Sequence, residues 1–144
     1  MIDAPATVNR VMSWMSYKYQ MEGELYWGTN AADSDYSNDP KNTSWEVQWL
    51  AGGNGDGSLT YPGRPDRIGG TSTIPIASLR LKQIRDGLQD LEYMYLLEDA
   101  TGSRTAGVAI VESVVRTTYD FEHEPAAMLA ARAKLAAAIE AAME

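Results

Sequence analysis

Residues 75–97 read PIASLRLKQIRDGLQDLEYMYLL, and the reading of this stretch decides the fold. Ala77, Leu81, Ile84, Leu88, Leu91 and Tyr95 recur at alternating spacings of four and three, which draws an apolar seam along one side of a helix. Pro75 suits a first helical position, where a missing N–H costs no hydrogen bond, and Gly102 supplies a stop. A helix over Pro75 to Leu97 is therefore expected. Gly87 sits in its middle at a cost of about 1 kcal/mol relative to alanine, which predicts another backbone packed close against it. Arg80, Arg85, Asp86, Asp90 and Glu92 could form a charged site, but their spacing favours a solvated helix surface with weak ion pairs.

Upstream, Ser58 to Tyr61 reads as a short strand ended by Pro62, Gly63 and Pro65. Leu25, Tyr26 and Trp27, between Gly23 and Gly28, form an aromatic-rich run too short for a helix, and read as a buried strand. The intervening Thr29 to Gly57 is rich in Asn, Asp, Ser and Gly around Tyr36, Trp45, Val47, Trp49 and Leu50. A loop of that length is usually functional or disordered, and its large aromatics argue against disorder. Val8, Val11, Met12, Met15 and Tyr19 mark an amphipathic helix over about Thr7 to Glu22, with Thr7 as N-cap and Gly23 as stop. Downstream, two structural helices are expected, about Arg104 to Tyr119 and the alanine-rich Ala126 to Met143. Helix and strand alternate closely, as in an α/β protein.

The chain has 144 residues, 44% of them hydrophobic, which suits one ordinary domain or part of a larger one. Twenty acidic residues against 12 basic ones give a net charge of −8, the wrong sign for nucleic acid or an anionic membrane surface. No nucleic-acid or membrane partner is expected. With no cysteine and a single histidine, His123, there is no disulfide, no thiol nucleophile and no multi-histidine metal site. Chemistry is left to carboxylates, hydroxyls, amides and aromatic rings, with no cofactor expected. No basic leader precedes an apolar run, and no stretch approaches the roughly 20 apolar residues of a membrane span. A soluble chain without a signal peptide is expected, its compartment unassigned.

Asn54-Gly55-Asp56-Gly57-Ser58-Leu59-Thr60 imitates the middle of an EF-hand loop, but Gly52 and Gly63 stand where the outer carboxylates belong. The segment reads instead as a glycine-rich turn whose Asp56 bonds local backbone. Trp27, Trp45, Trp49 and Tyr61 gather around the two strands and the loop between them. They either fill a core or offer a platform for the apolar face of a sugar. His123, within Asp120-Phe121-Glu122-His123-Glu124, belongs to an exposed acidic connection without a partnered serine, and Asn42-Thr43-Ser44 fits a three-residue glycosylation sequon.

Several blocks together carry a family resemblance: Ile2-Asp3-Ala4-Pro5, then Arg10, Trp14 and Tyr17-Lys18-Tyr19, then Gly23-Glu24-Leu25-Tyr26-Trp27-Gly28-Thr29-Asn30. Asn54 to Gly63 and Pro75 to Tyr93 continue the pattern. In order and spacing these blocks, covering about Ile2 to Leu97, resemble the C-terminal part of the glycoside hydrolase family 123 catalytic domain. The resemblance implies the last three or so units of a (β/α)8 barrel over residues 1–102, with residues 103–144 as a helical extension packed on it. Ile2 and Asp3 would then end a sixth strand, Leu25 to Trp27 form the seventh, and Ser58 to Tyr61 the eighth. Since barrel sites lie at strand C-terminal ends, Asp3, Trp27, Asn30, Tyr61 and Arg64 would face the pocket, with Asp56 shaping the loop before the last strand.

The resemblance also implies hydrolysis of N-acetylhexosaminides in which the substrate's acetamido group is the nucleophile. In that family an adjacent Asp-Glu pair on an earlier strand orients the acetamido group and acts as acid and base. No Asp is followed directly by Glu in this sequence. No residue here inherits those roles, and the isolated chain is expected to be inactive: a C-terminal fragment, a split gene product or a degenerate remnant. It would supply substrate-pocket walls, with a carbohydrate such as an N-acetylhexosamine-containing glycan as ligand. The missing barrel half, or a second copy, would be its partner. The alternative is a non-catalytic sugar-binding or scaffold remnant of such a barrel.

Overall fold

The computed structural model describes residues 2–31, 45–46, 48–50 and 53–144. The sequon at Asn42 to Ser44, the apolar Tyr36 and Val47, and Gly52 lie outside the described residues. Helices and strands mix, as an α/β chain requires, in two compact units: Thr7–Glu24 with Gln83–Glu144, and Met1–Ala6 with Leu25–Lys82.

The first unit is helical. Helix α1 (Thr7–Tyr19) ends before the expected Glu22 because Gln20 turns left-handed, at φ 54°. The Met21 N–H then reaches the Ser16 carbonyl at 2.9 Å and the Gln20 N–H the Tyr17 carbonyl at 3.3 Å. This closure is usually built on glycine, so Gly23 drew the expected end too far downstream. Thr7 is the first helical residue rather than the cap, and its hydroxyl donates to the His123 carbonyl at 2.9 Å.

Helix α3 (Leu79–Thr101) starts later than expected. Ser78 is its cap, its Oγ accepting the Leu81 N–H at 3.2 Å, and Gly102 takes the left-handed φ of 67° just beyond its end. Its buried face runs through Gly87, Asp90, Met94 and Leu97, so the expected seam is rotated: Leu88 and Tyr95 are exposed. Gly87 does meet a backbone, for a Cβ there would lie 2.5 Å from the Arg10 carbonyl oxygen.

Helix α4 (Thr105–Val111) is much shorter than the expected Arg104 to Tyr119. Beyond it Val114 and Val115 stay buried while the chain turns, Val115 bridging Phe121 and the Asp120 carbonyl accepting the N–H groups of Arg116 and Thr117. These two β-branched core residues are satisfied here by a turn and a bridge rather than by another helical turn. Helix α5 (Pro125–Met143) begins with proline in its first turn, one residue ahead of expectation. Trp14, Tyr17, Met94, Leu97, Val111, Met128 and Leu135 fill the common core.

A charge lies inside this helical unit. Asp90, fully buried, accepts Nε and Nη2 of Arg10 at 2.6 and 2.9 Å and the Trp14 indole N–H at 2.9 Å. Arg132 Nη1 approaches its other side at 3.1 Å. The solvated reading of Asp90 is thus corrected: its spacing matched a surface residue, but every lone pair it turns inward finds a donor.

The second unit is built from short strands. β1 (Trp49–Leu50) pairs antiparallel with β2 (Gly53–Asn54), and β3 (Thr60–Gly63) with β4 (Ile74–Ala77). Helix α2 (Pro65–Ile68) follows β3. Pro75 therefore lies in a strand opposite Pro62 rather than opening the long helix, and β3 runs on through Pro62 and Gly63, two of the three residues expected to end it. Proline is tolerated because each strand of a two-stranded ribbon has a free edge. Leu25 to Trp27 is not a strand, and Leu25 is 95% exposed. Pairing comes further along: the Ala31 N–H reaches the Gly57 carbonyl, Asn30 bridges Ser58, and the Thr29 carbonyl accepts Leu59 and Thr60.

Candidate functional site

Four consecutive residues, Asn54-Gly55-Asp56-Gly57, organise the strand unit. Gly55 and Gly57 are both left-handed, at φ 76° and 67°, a conformation that costs other residues about 1–2 kcal/mol. The turn they make sends alternate side chains to opposite neighbours. On one side Asn54 Nδ2 donates to Asp3 Oδ1 at 3.1 Å, and the Asn54 carbonyl accepts the Ile2 N–H at 2.6 Å. On the other, Asp56 Oδ1 accepts the Tyr26 hydroxyl at 3.2 Å, the Trp27 indole N–H at 3.0 Å and the Gly57 N–H at 2.9 Å. The last of these is the local backbone bond that the turn reading expected.

Glycine is required here for room as well as for φ. A Cβ on Gly57 would lie 2.7 Å from Trp27 Cζ2, so the indole rests directly on the turn. Trp27 nevertheless stays 48% exposed, with its indole N–H held by Asp56. Tyr26 completes the clasp, its oxygen accepting the Gly57 N–H at 3.1 Å while its hydroxyl donates to Asp56. Burial pushes this phenol above its ordinary pKa and the Asp56 charge adds to the effect, against the lowering pull of the Gly57 N–H.

Further along the unit, Trp45 donates its indole N–H to the Pro62 carbonyl at 2.8 Å and packs on Tyr61, ring centroids 4.8 Å apart. Tyr61 also lines a cavity of about 320 Å³ together with Ala4, Gln48, Ser78, Leu79 and Arg80. Arg80 was read as solvated and is buried; its Nη2 donates to the Ser58 carbonyl, and a Cβ on Gly55 would come within 3.0 Å of its guanidinium. In the helical unit a second cavity of about 290 Å³ is lined by Tyr17, Tyr95, Glu98 and Arg104, but there Arg104 and Glu98 face each other at 3.5 Å.

Of the expected pocket residues, Trp27 and Asp56 are directly bonded, Asp3 joins them through the adjacent Asn54, and Asn30 sits on the bridge to Ser58. Tyr61 belongs to the cavity. Arg64 stands apart, its exposed side chain without a hydrogen bond or ion pair among the described residues, while its carbonyl starts α2. Tyr26 and Arg80 were missed. Tyr26 is signalled by its place beside Trp27, since both reach one carboxylate; nothing in the spacing of Arg80 distinguishes it from a surface cation. Among the described residues no cluster of His, Asp and Glu could hold a metal ion, and no helix is long and apolar enough to cross a membrane.

An anchored indole held by a hydrogen-bonded carboxylate is the kind of feature that binds sugars, and the comparison with known families agrees: this is a glycoside hydrolase-like, carbohydrate-active protein. Residues 1–97 match the model described as glycoside hydrolase 123, catalytic domain, and the chain belongs to that family. A comparison with curated proteins finds no match to this chain.

Proposed function

We propose that the chain supplies substrate-pocket walls to an N-acetylhexosaminidase of the substrate-assisted kind, whose acid–base Asp-Glu pair lies outside these 144 residues. Residues 1–102 contribute the last units of a (β/α)8 barrel and 103–144 a helical extension. The observation that carries this reading is the Trp27 indole, fixed at one edge by Asp56 and seated on Gly57, with about half its surface open. A ring held in this way offers a sugar a flat apolar face without the entropy cost of ordering a mobile side chain. Asp3, Asn30, Asp56, Tyr61 and Arg64 supply the hydroxyl-binding groups. The partners are an N-acetylhexosamine-containing glycan and the protein segment that bears the catalytic pair.

The test is titration of the chain with N-acetylgalactosamine, followed by tryptophan fluorescence, together with an assay for hydrolysis of an N-acetylhexosaminide. Binding that is lost in Trp27→Ala with no loss of thermal stability, and no turnover by the chain alone, is the expected result. Absence of binding by the folded wild-type chain would reject the pocket-wall role; turnover by the chain alone would reject an external catalytic pair.

A further inference from the structure

Arg80 poses a problem of charge. Its residue surface is only 7% exposed, and a buried guanidinium normally meets a carboxylate, because its five N–H donors and its charge both need satisfying. Nη2 has the neutral Ser58 carbonyl, Nε has no hydrogen-bond partner, and among the described residues no carboxylate makes an ion pair with it. Asp56, whose Oδ1 accepts from Tyr26, Trp27 and Gly57, makes no ion pair with it. Gly55 is what lets the guanidinium settle this deep, since any Cβ there would press on it.

Arg80 lies in the wall of the cavity of about 320 Å³, a volume suited to one sugar residue. Leu79 and Arg80 are also the first two residues of the 23-residue helix α3, so their N–H groups have no intrahelical acceptor and carry the positive end of its dipole. The same wall offers Ser78, Gln48 and the Tyr61 phenol as neutral polar groups, with Ala4 on the apolar side. A fixed cation, a helix N-terminus and neutral donors around an apolar floor are complementary to an oxyanion attached to a ring.

We propose that this cavity is an oxyanion subsite that takes the carboxylate or sulfate ester of an acidic sugar. The anion follows from Arg80, which has no ion pair among the described residues; that a sugar carries it rests on the glycoside hydrolase reading above. Calorimetric titration of the 144-residue chain with galacturonic acid, N-acetylgalactosamine 6-sulfate, galactose and inorganic sulfate separates these points. At least one acidic sugar should bind at least about tenfold more tightly than galactose, the size of one charge-assisted hydrogen bond, and inorganic sulfate should compete with it. Which of the two binds identifies the carrier group as carboxylate or sulfate ester.

Arg80→Met should abolish the preference. Ala4→Leu, which narrows the cavity and leaves Arg80 in place, should weaken binding of both the acidic sugar and sulfate while leaving the melting temperature near wild type. Equal affinity for acidic and neutral sugars, or acidic-sugar and sulfate binding that Ala4→Leu leaves undiminished, overturns the proposal even if Arg80→Met fails to fold. Sulfate binding with no acidic-sugar binding keeps the anion site but overturns the sugar as its carrier. Neutral-sugar binding that quenches Trp27 with no acidic preference overturns the subsite alone and leaves the pocket-wall role standing.

Discussion

One sixteen-residue stretch, Pro75 to Asp90, places a buried charge in each unit of the chain, and the two charges are treated in opposite ways. Asp90, in the helical unit, meets Arg10, Trp14 and Arg132. Arg80, in the strand unit, has a backbone carbonyl and an idle Nε. A fully partnered buried charge fixes how elements pack and has nothing left to offer a ligand; one without a counter-ion keeps its electrostatic demand for whatever enters. The family resemblance runs through both, since Arg10 and Trp14 belong to its blocks as much as Asn54 to Gly57 do. The recognisable pattern thus includes internal architecture as well as the strand-unit turn.

The sharpest way to break the comparison is to remove the partnered charge. Asp90→Ala leaves Arg10 buried without its carboxylate, and unfolding in urea should show a loss of about 3–5 kcal/mol. Gly87→Ala should cost about 1–3 kcal/mol from overpacking against the Arg10 carbonyl, exceeding the gain of up to about 1 kcal/mol in helix propensity. A stabilised Gly87→Ala variant would show that the two backbones can part freely. Arg80→Met should lose about 1–3 kcal/mol, the cost of leaving the Ser58 carbonyl without its donor, because it strands no carboxylate. If Arg80→Met proved as damaging as Asp90→Ala, the contrast between the units would fail.

The smallest effect concerns pH. Tyr26 has its pKa raised by burial and by Asp56, so the folded chain favours the neutral phenol. Its contribution to stability is fully present below the ordinary tyrosine value of 10.0 and is lost as pH rises through the higher folded value. Absorbance titration should show a late-ionising tyrosine that Tyr26→Phe removes, and wild-type stability should fall more steeply than the variant's above that range.

The fold was legible where a residue's local conformation announces its role. Gly87 signalled a close backbone, Gly102 a helix end, and Asn54 to Gly57 a turn bonded through Asp56, and each is found. Legibility failed where tertiary partners decide. Pro75 is equally at home in a first helical turn and on a free strand edge, and the β-branched Ile74 and Ile76 facing Gly63 and Tyr61 settle it as strand. Gln20 takes a left-handed turn that composition assigns to glycine. For the site, Trp27 and Asp56 could be named from sequence, but the burial of Arg80 could not, since periodicity describes faces and says nothing of which charges lack partners.

The proline pair in the β3–β4 ribbon carries a consequence for the chain's solubility during synthesis and refolding. Thr60 sends its N–H away from β4, to Thr29, so Pro62, two residues on, occupies a position whose donor would also point outward. Pro75 does the same for the opposite edge. A foreign strand seeking to add to either side meets a gap in the row of donors. The two short outer edges are thereby made poor templates for intermolecular sheets, that of β3 further occupied by Thr29 and the Trp45 indole, at no cost to the ladder between them.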